Sequence, residues 1–317
     1  MAKAERAEPD LQELLAQSVR ALAGESAAAR FGVAVSGGPD SMALLSLAAR
    51  AFPGRVEAAT VDHGLRPASA AEAAMVAEWC ERHAIPHVIL HPGAPATGNI
   101  QRWARDQRYA LLGEWRVANR LDWIFTAHHA DDQLETVLMR LNRGAGVNGL
   151  AGIRARQGHV LRPLLGARRA QLLAYAEREG LPFVEDPSNS DSRFDRAAIR
   201  QRLRGATWLD AQAAARSAAA LGEVEEALDW AVDALEVRHV RAEGDMWVLD
   251  RTDLPRELLR RLLLRMLAYV DPAAPAPRGD TVDRAMAAAA QGQQASVGKA
   301  LLSGGDCWTV KAAPPRR

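Results

Sequence analysis

Lysine is nearly missing from this chain. Only Lys3, Lys299 and Lys311 carry an ammonium group, so arginine supplies almost all of the positive charge. With the abundance of alanine, that reads as codon bias. It has one chemical consequence: the body of the first domain has no lysine to act as a covalent carrier of AMP. Cysteine is as scarce. Cys80 and Cys307 are far apart and neither sits in a CxxC pair. That pattern argues against a disulfide framework, a zinc site and a cysteine-held iron–sulfur cluster. No apolar run approaches the roughly 18 residues of a membrane span, and no signal segment is visible. The expectation is a soluble, cytoplasmic protein without a membrane partner. A net charge of +1 means that no global basicity advertises a nucleic-acid partner, so any such site must be local. The length, 317 residues, fits two domains with a sizeable core.

What is present centres on Phe31-Gly32-Val33-Ala34-Val35-Ser36-Gly37-Gly38-Pro39-Asp40-Ser41. The apolar run reads as a buried parallel strand. It stops at Ser36-Gly37-Gly38, and a helical pattern follows at once in Met42, Leu44, Leu45, Leu47 and Ala48. Pro39 suits a first helical turn, where its missing N–H is no loss. The two glycines let the backbone approach a ligand, and their N–H groups with the helix N-terminus form an anion site. A Walker loop is excluded, because it needs a lysine after its glycines. The strand, Ser36–Ser41 turn and helix resemble the PP-loop of ATP pyrophosphatases. That resemblance implies cleavage of ATP between the α- and β-phosphates and adenylation of a substrate. The bland alternative is a serine- and glycine-rich turn with no ligand.

Taken in order, residues 1–30 fit an amphipathic helix (Leu11, Leu14, Leu15, Val19, Leu22) behind a frayed start. Val56 to Val61 reads as a second strand. Ser69 and Glu72 have capping-box spacing and start a helix to about Ala84. Val88 to Leu90 is a third strand, and Asn99 caps a long helix bearing Trp103, Tyr109, Leu111, Leu112 and Trp115. Leu121 to Thr126 is a fourth strand, and a helix from Ala130 to Leu141 ends at Arg143-Gly144. Strands alternating with helices predict a doubly wound, mostly parallel α/β sheet. Ligands of such sheets sit beyond the carboxyl ends of the strands. The unusual residues gather there: Ser36–Ser41, then Asp62-His63-Gly64-Leu65-Arg66, then His128-His129 with Asp131-Asp132.

From Arg140 to Arg204 there are thirteen arginines, no lysine and six acidic residues, a local charge of +7. Beside a nucleotide site this strip suits a polyanionic substrate; the alternative is an arginine-heavy solvated face. Gly144 to Gly149 reads as a flexible loop, and Glu185-Asp186-Pro187-Ser188-Asn189 as a turn. Beyond about Gly205 the character changes. Residues 210–240 and 253–270 have helical patterns, Met246–Leu249 a short strand, 271–279 a loop, and Val297–Leu302 with Asp306–Lys311 a terminal hairpin. The division is a catalytic domain over 1–204 and a smaller, mainly helical accessory domain over 205–317.

Several segments together resemble one family, the tRNA(Ile)-lysidine synthetases. They are the Ser36–Ser41 loop, Val61-Asp62-His63-Gly64-Leu65-Arg66, Ala104-Arg105 with Arg108-Tyr109, and Thr126 to Thr136. Arg143 to Gly146 with Gly149-Leu150, Arg162-Pro163-Leu164-Leu165 and Glu185 to Asn189 follow in the family's order. Two departures stand out: Ala197 follows Arg196 where the family has asparagine, though Arg200 is kept, and the chain is short for the family.

The resemblance implies an AMP-forming ligase. ATP adenylates the first anticodon cytidine of an isoleucine tRNA with a CAU anticodon, and free lysine displaces AMP to leave lysidine. It implies ATP contacts from Ser36, Gly37, Gly38, Pro39, Asp40, Ser41, Asp62, His63 and His128. Asp40 and Asp132 are hard oxygen ligands suited to Mg²⁺. Glu135, a turn beyond Asp131 and Asp132, suits the lysine ammonium or its proton. Arg105 and Arg108 suit phosphate or the adenylated base. Adjacent histidines at a strand end point in different directions, so His128 and His129 shape the pocket rather than share a metal. Three rivals remain. A tRNA thiolase needs usable cysteines, an amidotransferase-type synthetase needs an ammonia source, and a non-catalytic nucleotide-dependent tRNA-binding protein would release no pyrophosphate.

Overall fold

The computed structural model describes residues 10–65, 68–93, 95, 98–184, 195–203 (side chains from 199 on), 205–206 and 208–314. Arg66, the Glu185–Asn189 turn and the side chains of Arg196 and Ala197 lie outside the described residues. The chain forms two compact units, Met1–Gly222 and Glu223–Arg317.

In the first unit, strands β1 (Phe31–Ala34), β2 (Val56–Val61), β3 (His87–Leu90), β4 (Trp123–Phe125), β5 (Arg156–Gln157) and β6 (Val160–Leu161) form one sheet. Its order is β3-β2-β1-β4-β6-β5. All pairings are parallel except β5 with β6. Strand order reverses between β1 and β4, so the crevice for a ligand opens where both strands end. β5 and β6 have two residues each and no apolar run to announce them.

Alternation along β1 explains the two buried faces. Phe31, Val33 and Val35 enter one core with Phe125, Leu44 and Leu47. Ala34 packs into the other with Ile124, Leu112 and Trp115. A Cβ on Gly32 would stand 2.5 Å from the Trp115 ring, so that strand position must be bare. The first core is covered by α1 (Leu11–Ala23), α2 (Pro39–Ala51), α3 (Ser69–Arg82) and α7 (Arg169–Arg178). The second lies beneath α4 (Ile100–Ala118).

Asn99 caps α4 as its sequence predicts, accepting the Arg102 N–H at 3.0 Å. The capping box expected at Ser69 is not formed. Ala68 occupies the cap position with no side-chain bond, and Ser69 is the first helical residue. Its hydroxyl instead bonds Asp62. Helix α5 (Ala130–Leu141) has its predicted bounds. The glycine loop after it is less free than expected. It contains a short helix, α6 (Val147–Leu150), and Arg140 Nη1 donates to the Gly149 and Gly152 carbonyls at 2.8 and 2.9 Å. Helix α8 (Asp195–Leu203) and the start of α9 (Ala211–His239) complete this unit.

The second unit holds the rest of α9, α10 (Arg256–Val270) and α11 (Gly279–Ala290), so helix outweighs strand there. An antiparallel sheet adds β7 (Val240–Glu243), β8 (Met246–Leu249), β9 (Gln294–Val297), β10 (Ala300–Ser303) and β11 (Trp308–Ala312), in the order β7-β8-β11-β10-β9. β8 is the strand read from Met246–Leu249, and β10–β11 is the expected hairpin. Its core joins Val232, Leu262, Leu263, Met266, Val282, Leu302 and Val310.

Candidate active site

The turn after β1 is locked by its own serines. Ser36 donates its N–H to Ser41 Oγ at 3.1 Å, the two hydroxyl oxygens are 3.2 Å apart, and the Ser41 hydroxyl donates to the Gly38 carbonyl at 2.9 Å. Gly37 has φ +81°, a conformation that strains any side chain. Gly38 is extended and caps α2, with Pro39 in the first turn. First-turn amides have no intrahelical acceptor, so they present N–H groups and the positive end of the helix dipole to an anion.

Helix α5 starts against this turn through one residue, His129. Its ring is 2% exposed. Nδ1 accepts the Asp132 N–H at 3.2 Å while Asp132 Oδ2 accepts the His129 N–H at 3.2 Å, a reciprocal cap. With Nδ1 accepting, the hydrogen-bond pattern puts the proton on Nε2. Nε2 lies 3.6 Å from Asp40 Oδ2 and 3.4 Å from Asp132 Oδ2. Burial opposes a positive ring, but the neighbouring Asp40 carboxylate and the charges of Asp132 and Asp131 outweigh it and raise the His129 pKa. One buried imidazole thus joins the carboxylates of two elements far apart in sequence.

Asp40 Oδ1 is buried and has no hydrogen-bond partner. A buried carboxylate oxygen without a donor calls for a cation. Among the described residues no group of three or more His, Cys, Asp or Glu side chains could hold a metal by itself. Two carboxylates beside a phosphate site instead suit Mg²⁺, which takes one or two protein carboxylates and completes its octahedron with phosphate and water.

Glu135, 3% exposed, is gripped by Arg200, whose Nε donates to Oε1 at 2.6 Å and Nη2 to Oε2 at 3.1 Å. Arg200 Nη2 also lies 3.5 Å from Asp132 Oδ1. So α8 reaches across to two of the three acidic positions of α5, Asp132 and Glu135. Asp131 serves α7: its Oδ2 accepts the Arg169 N–H at 2.7 Å, and Oδ1 is 3.5 Å from Arg168 Nη2. A cavity of about 210 Å³ opens here, lined by Asp131, Glu135, Arg168, Arg169 and Arg200 with Leu134, Leu203 and Leu209 among its apolar walls. A larger cleft of about 370 Å³, lined by Arg50, Trp79 and Glu179, contains none of the residues singled out in the sequence.

The remaining residues follow β2, lie on α4 or follow β4. Asp62 turns into its own loop. The Ser69 hydroxyl and the Gly64 N–H (2.8 Å) hold its carboxyl below the usual carboxylate range. His63 packs edge-on to Trp103 of α4, with ring centroids 5.8 Å apart, and both its nitrogens are buried without partners. Burial and the charge of Arg108 lower its pKa, so a neutral imidazole faces this space. The Arg105 guanidinium lies 5.0 Å from the centre of the Tyr109 ring. His128 Nδ1 is 3.0 Å from Thr126 Oγ1.

Two important residues escaped the sequence reading. His129 was assigned only to pocket shape, since histidine is an unusual helix cap. Arg200 was noted for its presence, but its bond to Glu135 spans 65 positions and leaves no local signal. Arg162 proves to be scaffolding. It is 2% exposed and donates to the Arg154 carbonyl at 2.7 Å and to Gln157 Oε1 at 3.2 Å.

A family model described as a PP-loop domain matches residues 8–206. The chain is 40% identical to the tRNA(Ile)-lysidine synthase of Zymomonas mobilis subsp. mobilis, over 98% of this chain and 96% of that one. It is 44% identical to the enzyme of that name from Novosphingobium aromaticivorans (90% and 89% covered), and 44% identical to that from Ruegeria pomeroyi (87% and 69%). Among solved structures, the U34-tRNA thiolase NcsA from Methanococcus maripaludis, with its 4Fe-4S cluster, superposes with a TM-score of 0.54. Its sequence identity is 19%, over 68% of this chain and 79% of that one. That likeness speaks for the fold alone.

Proposed function

Because the chain belongs to the tRNA(Ile)-lysidine synthase family of PP-loop proteins, we propose that it joins free lysine to the first anticodon cytidine of an isoleucine tRNA bearing CAU. The observation that carries the reading is His129, which unites Asp40 of the anion-binding turn with Asp132 of α5 while Asp40 Oδ1 waits for a partner. In the first half-reaction the cytidine 2-carbonyl oxygen attacks the α-phosphorus of ATP and pyrophosphate leaves. The Ser36–Ser41 turn holds the phosphates, with Asp62, His63 and His128 around the nucleotide. Asp40 and Asp132 hold Mg²⁺, which, when bound, offsets charge on the departing pyrophosphate. Arg105 and Arg108 meet phosphate or the base.

In the second half-reaction the lysine side-chain amine attacks the cytidine C2, and AMP leaves with the oxygen. The 210 Å³ cavity offers both signs of charge, as a zwitterionic amino acid needs. Glu135, oriented by Arg200, suits the ammonium and takes the proton that the amine must shed. Catalysis belongs to residues 1–204 and accessory tRNA contact to 205–317. No helix among the described residues is long and apolar enough to cross a membrane. The thiolase rival is disfavoured by Cys80. It is fully buried and its thiol is pushed up to about 12 by burial, the reverse of an activated nucleophile.

The test is the product. Purified protein with Mg-ATP, labelled lysine and the CAU isoleucine tRNA should fix label into the tRNA, with AMP and pyrophosphate in equal amounts. A methionine tRNA with the same anticodon should be a poor substrate. ADP in place of AMP overturns the PP-loop chemistry. Sulfur gained without lysine gives the case to a thiolase, and RNA binding without pyrophosphate to a binding module.

A further inference from the structure

Trp208 is 81% exposed on the connection between α8 and α9. Leu209 donates its N–H to the Ala206 carbonyl at 3.1 Å, and Gln212 Nε2 donates to the Gly166 carbonyl at 2.9 Å. Leu203 and Leu209 pack onto the small core of Ala130, Leu134 and Ala211. Trp208 thus neighbours in sequence a residue packed against α5, the helix that carries Asp132 and Glu135, while it is itself open to solvent. Ala206 and Leu209, on either side of it in sequence, line the 210 Å³ cavity together with Arg168, Arg169 and Arg200.

A second observation concerns Arg168. Its Nη2 reaches Asp131 at 3.5 Å, but its Nε is buried and has no acceptor. A guanidinium N–H without an acceptor, on a side chain 40% exposed at the mouth of a cavity, suits an anion from outside. An exposed indole is a platform on which any nucleobase can stack, and nearby guanidinium groups attract the backbone. A protein partner with an apolar face would cover the indole and still leave the Arg168 Nε unanswered. We propose that Trp208 and Arg168 form a subsite for one unpaired nucleotide flanking the reacting cytidine. The indole stacks on the base and Arg168 Nε donates to the phosphate. This rests on the tRNA reading above and names two contacts within it.

Binding of a CAU anticodon stem-loop RNA and of the full tRNA to the intact enzyme tests the subsite. Trp208→Ala should weaken RNA binding roughly 5- to 100-fold, Trp208→Phe should keep most of the affinity, and the KM for ATP should not move. Trp230→Ala, which removes a tryptophan 74% exposed in the other unit, should bind the anticodon stem-loop RNA as wild type does. Removing the base of one cytidine neighbour should cost wild type a similar factor and cost Trp208→Ala nothing further. Arg168→Ala should weaken binding of both RNAs. Unchanged RNA binding by Trp208→Ala, or additive losses for the variant and the abasic RNA at both neighbours, overturns the subsite. If wild type binds the RNA with this coupling but makes no lysidine, the reaction reading fails and the subsite stands.

Discussion

The two units treat buried polarity differently. Among the described residues, the buried side-chain atoms without partners in the first unit are Asp40 Oδ1, both nitrogens of His63, Arg162 Nε and Arg168 Nε; the second has Trp308 Nε1 alone. In the second unit the half-buried charges are knitted together. Arg261 meets Glu225, Asp229 and Glu257 between 2.7 and 2.9 Å, and Arg265 meets Asp233 and Glu236. This network ties helix α9 to α10. The unanswered atoms of Asp40, His63 and Arg168 cost stability and gain meaning only when a ligand arrives, while Arg162 stays part of the scaffold. Polar satisfaction, more than composition, distinguishes the two units.

The sharpest way to break this contrast is at Asp132. Asp132→Asn keeps the shape and can still accept the His129 N–H, but removes a charge facing the expected Mg²⁺. Turnover should fall about 10²–10³-fold with tRNA affinity nearly kept. Near-normal single-turnover rates would take Asp132 out of the metal site and leave it a helix cap.

In the second unit the comparable injury is steric. A Cβ on Gly304 would lie 2.0 Å from the Ala289 carbonyl oxygen, and backbone cannot swing aside as a side chain can. Gly304→Ala should cost at least the ~1–3 kcal/mol typical of overpacking. Calorimetry of the intact chain should show a transition lowered by several degrees, roughly 2–8 °C. An unmoved melting profile would mean that the hairpin has room the structure does not show.

A smaller effect is expected from Arg168 and Arg169. Together they should contribute up to about two units to the log–log salt slope of tRNA binding. Arg169 holds Asp131 through its backbone N–H, which alanine keeps, so the double replacement by alanine leaves that link intact. A slope and affinity equal to wild type would return both arginines to a solvated face.

The parts legible in the sequence were those encoded locally. Continuous apolar runs mark buried parallel strands, and Gly37-Gly38-Pro39 can hardly be anything but a strand-to-helix turn. Asn99 before a periodic helix is a local signal too, and it held. Ser69 misled because the same hydroxyl can cap a helix or bond a carboxylate, and Asp62, seven residues earlier, offered the better acceptor. His129 and the Arg200–Glu135 pair were invisible because they depend on where α5, α8 and the first turn meet. β5 and β6 were missed because two residues carry no period.

The cysteines give the smallest test and set one unit directly against the other. Cys80 is fully buried in the first unit and Cys307 is exposed in the second. Thiolate is the reactive form, so at pH 8 an alkylating reagent should label Cys307 alone and reach Cys80 only after unfolding. Burial raises the Cys80 pKa to about 12, so between the ordinary thiol value near 8.5 and that point the folded state binds a proton that the unfolded state has lost. Its contribution to stability is therefore complete below that window and declines as pH rises through it. Cys80→Ala should flatten the alkaline part of the stability–pH curve, whatever it costs in packing at neutral pH. Cys307→Ala should leave the curve as it is. Labelling of Cys80 in native buffer at the rate of Cys307 would show that this part of the core opens easily, and the first unit would then be the less rigid of the two.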